Sequence, residues 1–273
     1  MTKSLAPFGI VFALLIDVAH SQDNGGGAAV SYCRDRIRSM QLQELVSQRS
    51  SPGAYIHLSN DQTILCFDGR IHRNQEMTLF RNLKVNGSFV MRSPGGYAEA
   101  AMEMANILLE KNAVVVLHDY CLSACANYIF IASGQTNVAR DAIVAWHGGP
   151  WASDCDFPDQ IRVFSDRQPA LATDQKEKLC KVTELQRDFF RMRGTDGAIV
   201  HAPQSHHTRK MLKLSAQLSG YRDRNVFWMW NPKHYRDRFK TRIVYETYPG
   251  SQEEVDEIMK RFHWSYVRVI YDP

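Results

Sequence analysis

The chain has 273 residues, 44% of them hydrophobic and 23% charged, with a formal net charge of +4. A sequence of this length and hydrophobicity buries a sizeable core in one large domain, or one domain with an appendage. The basic excess is small and Lys/Arg alternate with Asp/Glu along the chain, which argues against nucleic-acid binding.

The N-terminus carries Lys3, the apolar run Pro7 to Ala19 and then Ala19-His20-Ser21 before a polar stretch. A basic start, a short apolar run and small residues at a cleavage point describe a secretory signal over residues 1–21. The alternative is an uncleaved N-terminal anchor. The chain is therefore expected to be exported, periplasmic or secreted. Six cysteines come after the signal: Cys33, Cys66, Cys121, Cys125, Cys155 and Cys180. An even count fits an oxidising compartment and disulfides, with the connectivity open.

Residues 22–62 read as a lead-in. Residues 22–30 are polar and glycine-rich, with a short helical piece and a strand at 54–58 after them. From residue 63 a regular alternation begins. Thr63 to Phe67 predicts a strand closed by Asp68-Gly69, and Ser88 to Arg92 a second strand broken by Ser93-Pro94-Gly95-Gly96. A helix is predicted near 97–111, because Ala98, Ala101, Met102, Ala105, Leu108 and Leu109 recur at spacings of three and four. Ala113 to Leu117 is a continuous apolar run of the kind found in buried parallel strands. Next come a helix at 124–133, a strand at 143–146 and a long helix at about 169–192. The long helix has Leu179, Val182, Leu185, Phe189 and Met192 on its expected core face. Residues 195–215 read as a polar loop. The tail predicts a strand at 242–246, a helix opened by the capping box Ser251-x-x-Glu254, and a strand at 266–271. The pattern implies an α/β fold with a mainly parallel sheet and right-handed βαβ crossovers. The expected organisation is a main domain over 63–240 and a small β-α-β extension over 241–273.

Three segments carry candidate chemistry. Cys121-Leu122-Ser123-Ala124-Cys125 lies between an apolar strand and a helix start. A serine there presents its hydroxyl beside unsatisfied backbone N–H groups, a setting suited to an acyl-transfer nucleophile. The plainer role for the same serine is a helix cap. Gly95-Gly96 allows a close backbone approach. His147, in Trp146-His147-Gly148-Gly149, falls at a strand's carboxyl end, where open parallel sheets place ligands. A neutral imidazole there is a candidate general base.

Taken together, Gly95-Gly96, then Ser123 in Cys-x-Ser-Ala-Cys, then His147-Gly148, resemble the proteolytic subunit of Clp proteases, which shares its fold with the crotonases. The form is similar to periplasmic Clp-like proteins in particular, over about residues 63–240. The resemblance implies a serine peptidase with Ser123 as nucleophile, His147 as base, and the N–H groups of Gly96 and Ala124 as oxyanion hole. It implies a third residue that orients the base: Asp223, just before the strand Val226 to Trp230, is the first choice, with the neutral Asn225 and, directly after the long helix, Asp196 as alternatives. It also suggests a homo-oligomer acting on peptide or unfolded protein. A catalytically inactive binding or scaffold protein of the same fold is the other reading. The sequence has no phosphate-binding loop, and an exported protein would have no ATPase partner. No cofactor, metal site or nucleic-acid partner is expected. His201, His206 and His207 lack ligand spacing and read as part of a solvated loop.

Overall fold

The computed structural model describes residues 26–47, 53–149, 173–197, 225–235 and 238–272. The predicted signal segment, Asp223, Cys155 and the three loop histidines lie outside these residues.

The pleat explains the apolar strands. In β2 (Ile64–Gly69), β3 (Ser88–Ser93) and β4 (Val114–Leu122), alternate side chains enter different cores. Leu65, Phe67, Phe89, Met91, Val115 and Leu117 join one cluster, whereas Cys66, Val90 and Val116 join another on the opposite face. A strand covered on both faces has no polar side, so it reads as a continuous apolar run. The first cluster is roofed by α3 (Ala98–Glu110), which buries Ala98, Ala101, Met102, Ala105 and Leu108. The second is covered by α1 (Gly26–Ser47), through Ala29, Val30, Cys33 and Ile37. Burying Val30 or Ile37 fully contributes about 1.5–3 kcal/mol each.

This long α1 corrects the expected flexible lead-in at 26–30. Its apolar residues recur at helical spacing, and a disulfide from Cys33 to Cys66 ties it to β2. Tertiary packing outweighs the poor helix propensity of its glycine-rich start.

The main sheet has seven strands, in the order β1 (Ala54–Leu58), β2, β3, β4, β5 (Gln135–Val138) and β8 (Arg242–Tyr245), with β6 (Ile143–Ala145) beside β4. Only β1 (Ala54–Leu58) runs antiparallel to its neighbour, so the fold is α/β with a mostly parallel mixed sheet. Strand β4 is longer than expected and includes His118 and Asp119. Its first half pairs with β5 (Gln135–Val138) and its second half with β6 (Ile143–Ala145). The change of partner coincides with an irregularity: Met91 faces Leu117 but Ser93 faces Cys121, and Asp119 sits at φ +55. Such a bulge bends the strand and re-aims the residues beyond it. Leu122 thereby enters a separate core with Ile143, Ala145, Phe227, Met229 and Val269.

The predicted helix at 124–133 is instead a single π-helical turn, Cys125–Ile129, closed by the Phe130 N–H on the Cys125 carbonyl. It is short because the chain must enter β5 at Gln135, and every residue of the turn is buried. The long helix, α4 (Thr173–Arg193), packs Phe189 and Phe190 on Tyr128, whose hydroxyl donates to Gln186. Its buried face is rotated from the expected one. Leu185 and Met192 are exposed, and Thr183, Gln186 and Phe190 are buried. The polar partner demanded by the buried Tyr128 hydroxyl sets this rotation.

Strand β7 (Val226–Trp230) pairs in parallel with β9 (Arg268–Asp272), and β8 (Arg242–Tyr245) adds to the main sheet beside β5. The residues after 240 thus divide between two sheets. Between β8 and β9, α5 (Gln252–Lys260) begins at Ser251, whose side chain accepts from the Glu254 N–H, while Glu254 accepts from the Gly250 N–H. No helix among the described residues is long and apolar enough to cross a membrane.

Candidate active site

Ser123 comes directly after β4 and precedes the π-helical turn. Its N–H donates to the Ala145 carbonyl (3.1 Å) and its carbonyl accepts from the Asn127 N–H (2.8 Å). Meeting both bonds puts the serine at φ +55. A non-glycine residue there costs about 1–3 kcal/mol and persists only when its surroundings over-determine it. They do: Cys121 and Cys125 form a disulfide that brackets the serine, and both are fully buried.

Strand β6 carries the chain to Trp146 and His147. Trp146 makes a two-way backbone bridge with Trp228 of β7 (2.9 and 2.6 Å). That bridge brings Phe227 edge-on to the His147 ring, with centroids 4.8 Å apart. Strands β4 and β6 pair in parallel, so the residues after their carboxyl ends, Ser123 and His147, lie together. The Ser123 Oγ and His147 Nε2 are 2.6 Å apart, a short hydrogen bond in which the hydroxyl donates when the neutral ring carries its proton on Nδ1. Burial pushes the imidazole down to about 4 and keeps it neutral. A neutral Nε2 accepts a proton, although its low basicity weakens the driving force.

The glycine turn lies against the serine. A side chain at Gly95 would meet the Ser123 Cβ at 2.7 Å and the Ala124 N at 2.8 Å, which only glycine avoids. Gly95 and Gly96 have φ +89 and +151. The turn is tied down by the buried Ser93 hydroxyl, which accepts from the Gly95 N–H, and by bonds between Ile71 and the backbone of Gly95 and Tyr97. The Gly96 and Ala124 N–H groups have no acceptor among the described residues. One of these donors follows the serine directly and the other belongs to the glycine turn packed against it, and unspent N–H groups of this kind can receive an oxyanion.

Of the residues expected to orient the base, Asp223 lies outside the described residues. Asn225 is half-buried just before β7 and makes no hydrogen bond to His147. Asp196 is exposed and pairs with Arg238 (3.4 Å). No described residue accepts from His147 Nδ1.

Two contributors escaped the sequence reading. Phe227 belonged to a strand already expected but not connected to His147. Asn127, 3% exposed, donates from Nδ2 to the Gly148 carbonyl (3.0 Å). Its signal was a lone amide inside the apolar run Ala124 to Ala132. His118 and Asp119, so close in sequence to Ser123, belong to another assembly. His118 Nδ1 meets Asp119 (3.1 Å), which also pairs with Arg34 (2.6 Å) and Arg92 (3.2 Å). Burial opposes the Asp119 charge, but the His118 hydrogen bond and the neighbouring His118, Arg34 and Arg92 charges hold the carboxyl below the usual range. No group of side chains suited to a metal occurs among the described residues. No protein-family model matches this chain, and no curated protein matches it.

Proposed function

We propose that this chain is an exported serine hydrolase of the Clp-peptidase kind, cleaving peptides through an acyl-enzyme. The observation that carries the reading is the 2.6 Å contact between Ser123 Oγ and His147 Nε2. Ser123 Oγ attacks the substrate carbonyl as His147 Nε2 takes its proton. The oxyanion is received by the Gly96 and Ala124 N–H groups. The imidazolium returns its proton to the leaving amine, and the acyl-enzyme forms as the C–N bond breaks. Water, deprotonated by the same ring, then releases the acid and restores the serine. Asp223 is the proposed partner of Nδ1. The substrate class is small or already unfolded peptide, because an exported protein works away from ATP-driven unfolding. A homo-oligomer is part of this proposal.

The buried Cys121–Cys125 disulfide that encloses Ser123 favours a second reading, a scaffold that keeps the fold without turnover. One experiment separates them. The full, oxidised chain is treated with a fluorophosphonate, and the modified residue is located by mass spectrometry. Labelling confined to Ser123, and lost in Ser123→Ala, is expected; a folded, oxidised protein that takes no label is the scaffold.

A further inference from the structure

We infer that Asn127 is the positioning residue that holds His147 against Ser123. This rests on reading Ser123 and His147 as nucleophile and base. Asn127 touches both halves of the pair through its own atoms. Its backbone N–H donates to the Ser123 carbonyl at 2.8 Å, and its side-chain Nδ2 donates to the Gly148 carbonyl at 3.0 Å. The segment after β6 needs such a tie. Gly148 sits at φ +108 and is followed by Gly149, so this stretch has little stiffness of its own.

The other half of the amide shows that stability alone does not explain the residue. Asn127 Oδ1 is buried and has no partner among the described residues. An apolar side chain would fit this buried turn without that cost. The amide is kept for its donor, and the donor points at the loop that carries the base. The Cys121–Cys125 disulfide fixes the serine from one side, and Asn127 links that fixed turn to the histidine across the strand ends.

Fluorophosphonate labelling rates and the imidazole ¹⁵N resonances of His147 are compared in full, oxidised wild type, Asn127→Ala and Asn127→Asp. A misplaced base is expected to slow labelling by about 10- to 100-fold. The Nε2 resonance should lose the signature of its hydroxyl donor. In a His147→Ala background, Asn127→Ala should slow the residual labelling no further, because the residue acts through His147. Equal slowing in that background, or a folded variant with wild-type rate and resonances, overturns the inference. If Asn127→Ala does not fold, Asn127→Asp, which has the same shape without the donor, decides on the same readouts. A wild type that takes no label defeats the hydrolase reading instead. Asn127 is then judged on the resonance alone: a shift upholds the tie and an unchanged signal overturns it.

Discussion

Two histidines belong to neighbouring strands, His118 in the middle of β4 and His147 just beyond β6, and their surroundings are opposites. His118, in β4, has a carboxylate on Nδ1 and sits in a network where Asp119 already serves Arg34 and Arg92, and Arg92 also grips Asp68. His147, after β6, has a serine hydroxyl on Nε2 and no described carboxylate. The first assembly pairs its charges with one another, so its work is to fasten α1 and the bent part of β4. The second leaves a serine hydroxyl, a neutral imidazole and two backbone donors without charged partners among the described residues. Each has a disulfide beside it, and the contrast extends to these. Cys33–Cys66 spans 33 positions and joins a helix to the sheet; Cys121–Cys125 spans 4 and encloses one serine.

The largest effect expected from this contrast is on the reactivity of Ser123. His147→Ala should slow fluorophosphonate labelling of Ser123 by about 10⁴-fold or more. His118→Ala should leave the rate within a few-fold. Similar rates for the two variants would erase the distinction.

The disulfides should separate in the same way. Replacing Cys33 and Cys66 by alanine releases a long loop in the unfolded chain and should cost about 4 kcal/mol in denaturant unfolding, with labelling kept. Replacing Cys121 and Cys125 releases only a short loop, costing about 2 kcal/mol. It should nevertheless slow labelling by about 10- to 100-fold, because Ser123 loses the clamp that holds its positive φ.

Asp119→Asn, tolerable at φ +55, should destabilise the fold by about 1–3 kcal/mol and leave labelling unchanged. The partly exposed Arg34 keeps this cost modest.

The pH dependence gives the finest test. His147 titrates near 4 when folded, against an ordinary 6.5 when unfolded. Between these values the unfolded chain binds the extra proton, so stability contributed by the neutral ring is present above about 6.5 and is lost as pH falls through 4. If burial alone sets the ring, labelling keeps its rate down to about pH 5 and drops near 4; with Asp223 on Nδ1, as proposed, the drop is expected at a higher pH, and a midpoint near 4 would remove Asp223 from that role.

Much of this was legible in the chain itself. The strand cores 64–67, 88–92 and 114–117, the helix 98–110 and the Ser251 cap arise from local periodicity and capping, which need only neighbours in sequence, whereas Asp68, Gly69 and Ser93 read as turns and are strand residues. Ser123, Gly96, Ala124 and His147 drew attention because their spacing was read jointly, and no one of them was distinctive alone. The helical spacing of Ala29, Cys33 and Ile37 was equally present, yet the glycines before it suggested a flexible lead-in. The face of α4 was misjudged because Gln186 looks like a surface residue until the buried Tyr128 hydroxyl requires it.

Local patterning along the chain set the α/β plan with a mostly parallel sheet and the residue types near the strand ends. Such preferences are local. Long-range pairing made the serine hydroxyl face the imidazole, joined His118 to Asp119 in a different assembly, and brought Asn127 to Gly148. Each depends on pairing between β4, β6 and β7, segments distant along the chain, where a shift of one residue turns a side chain to the opposite face.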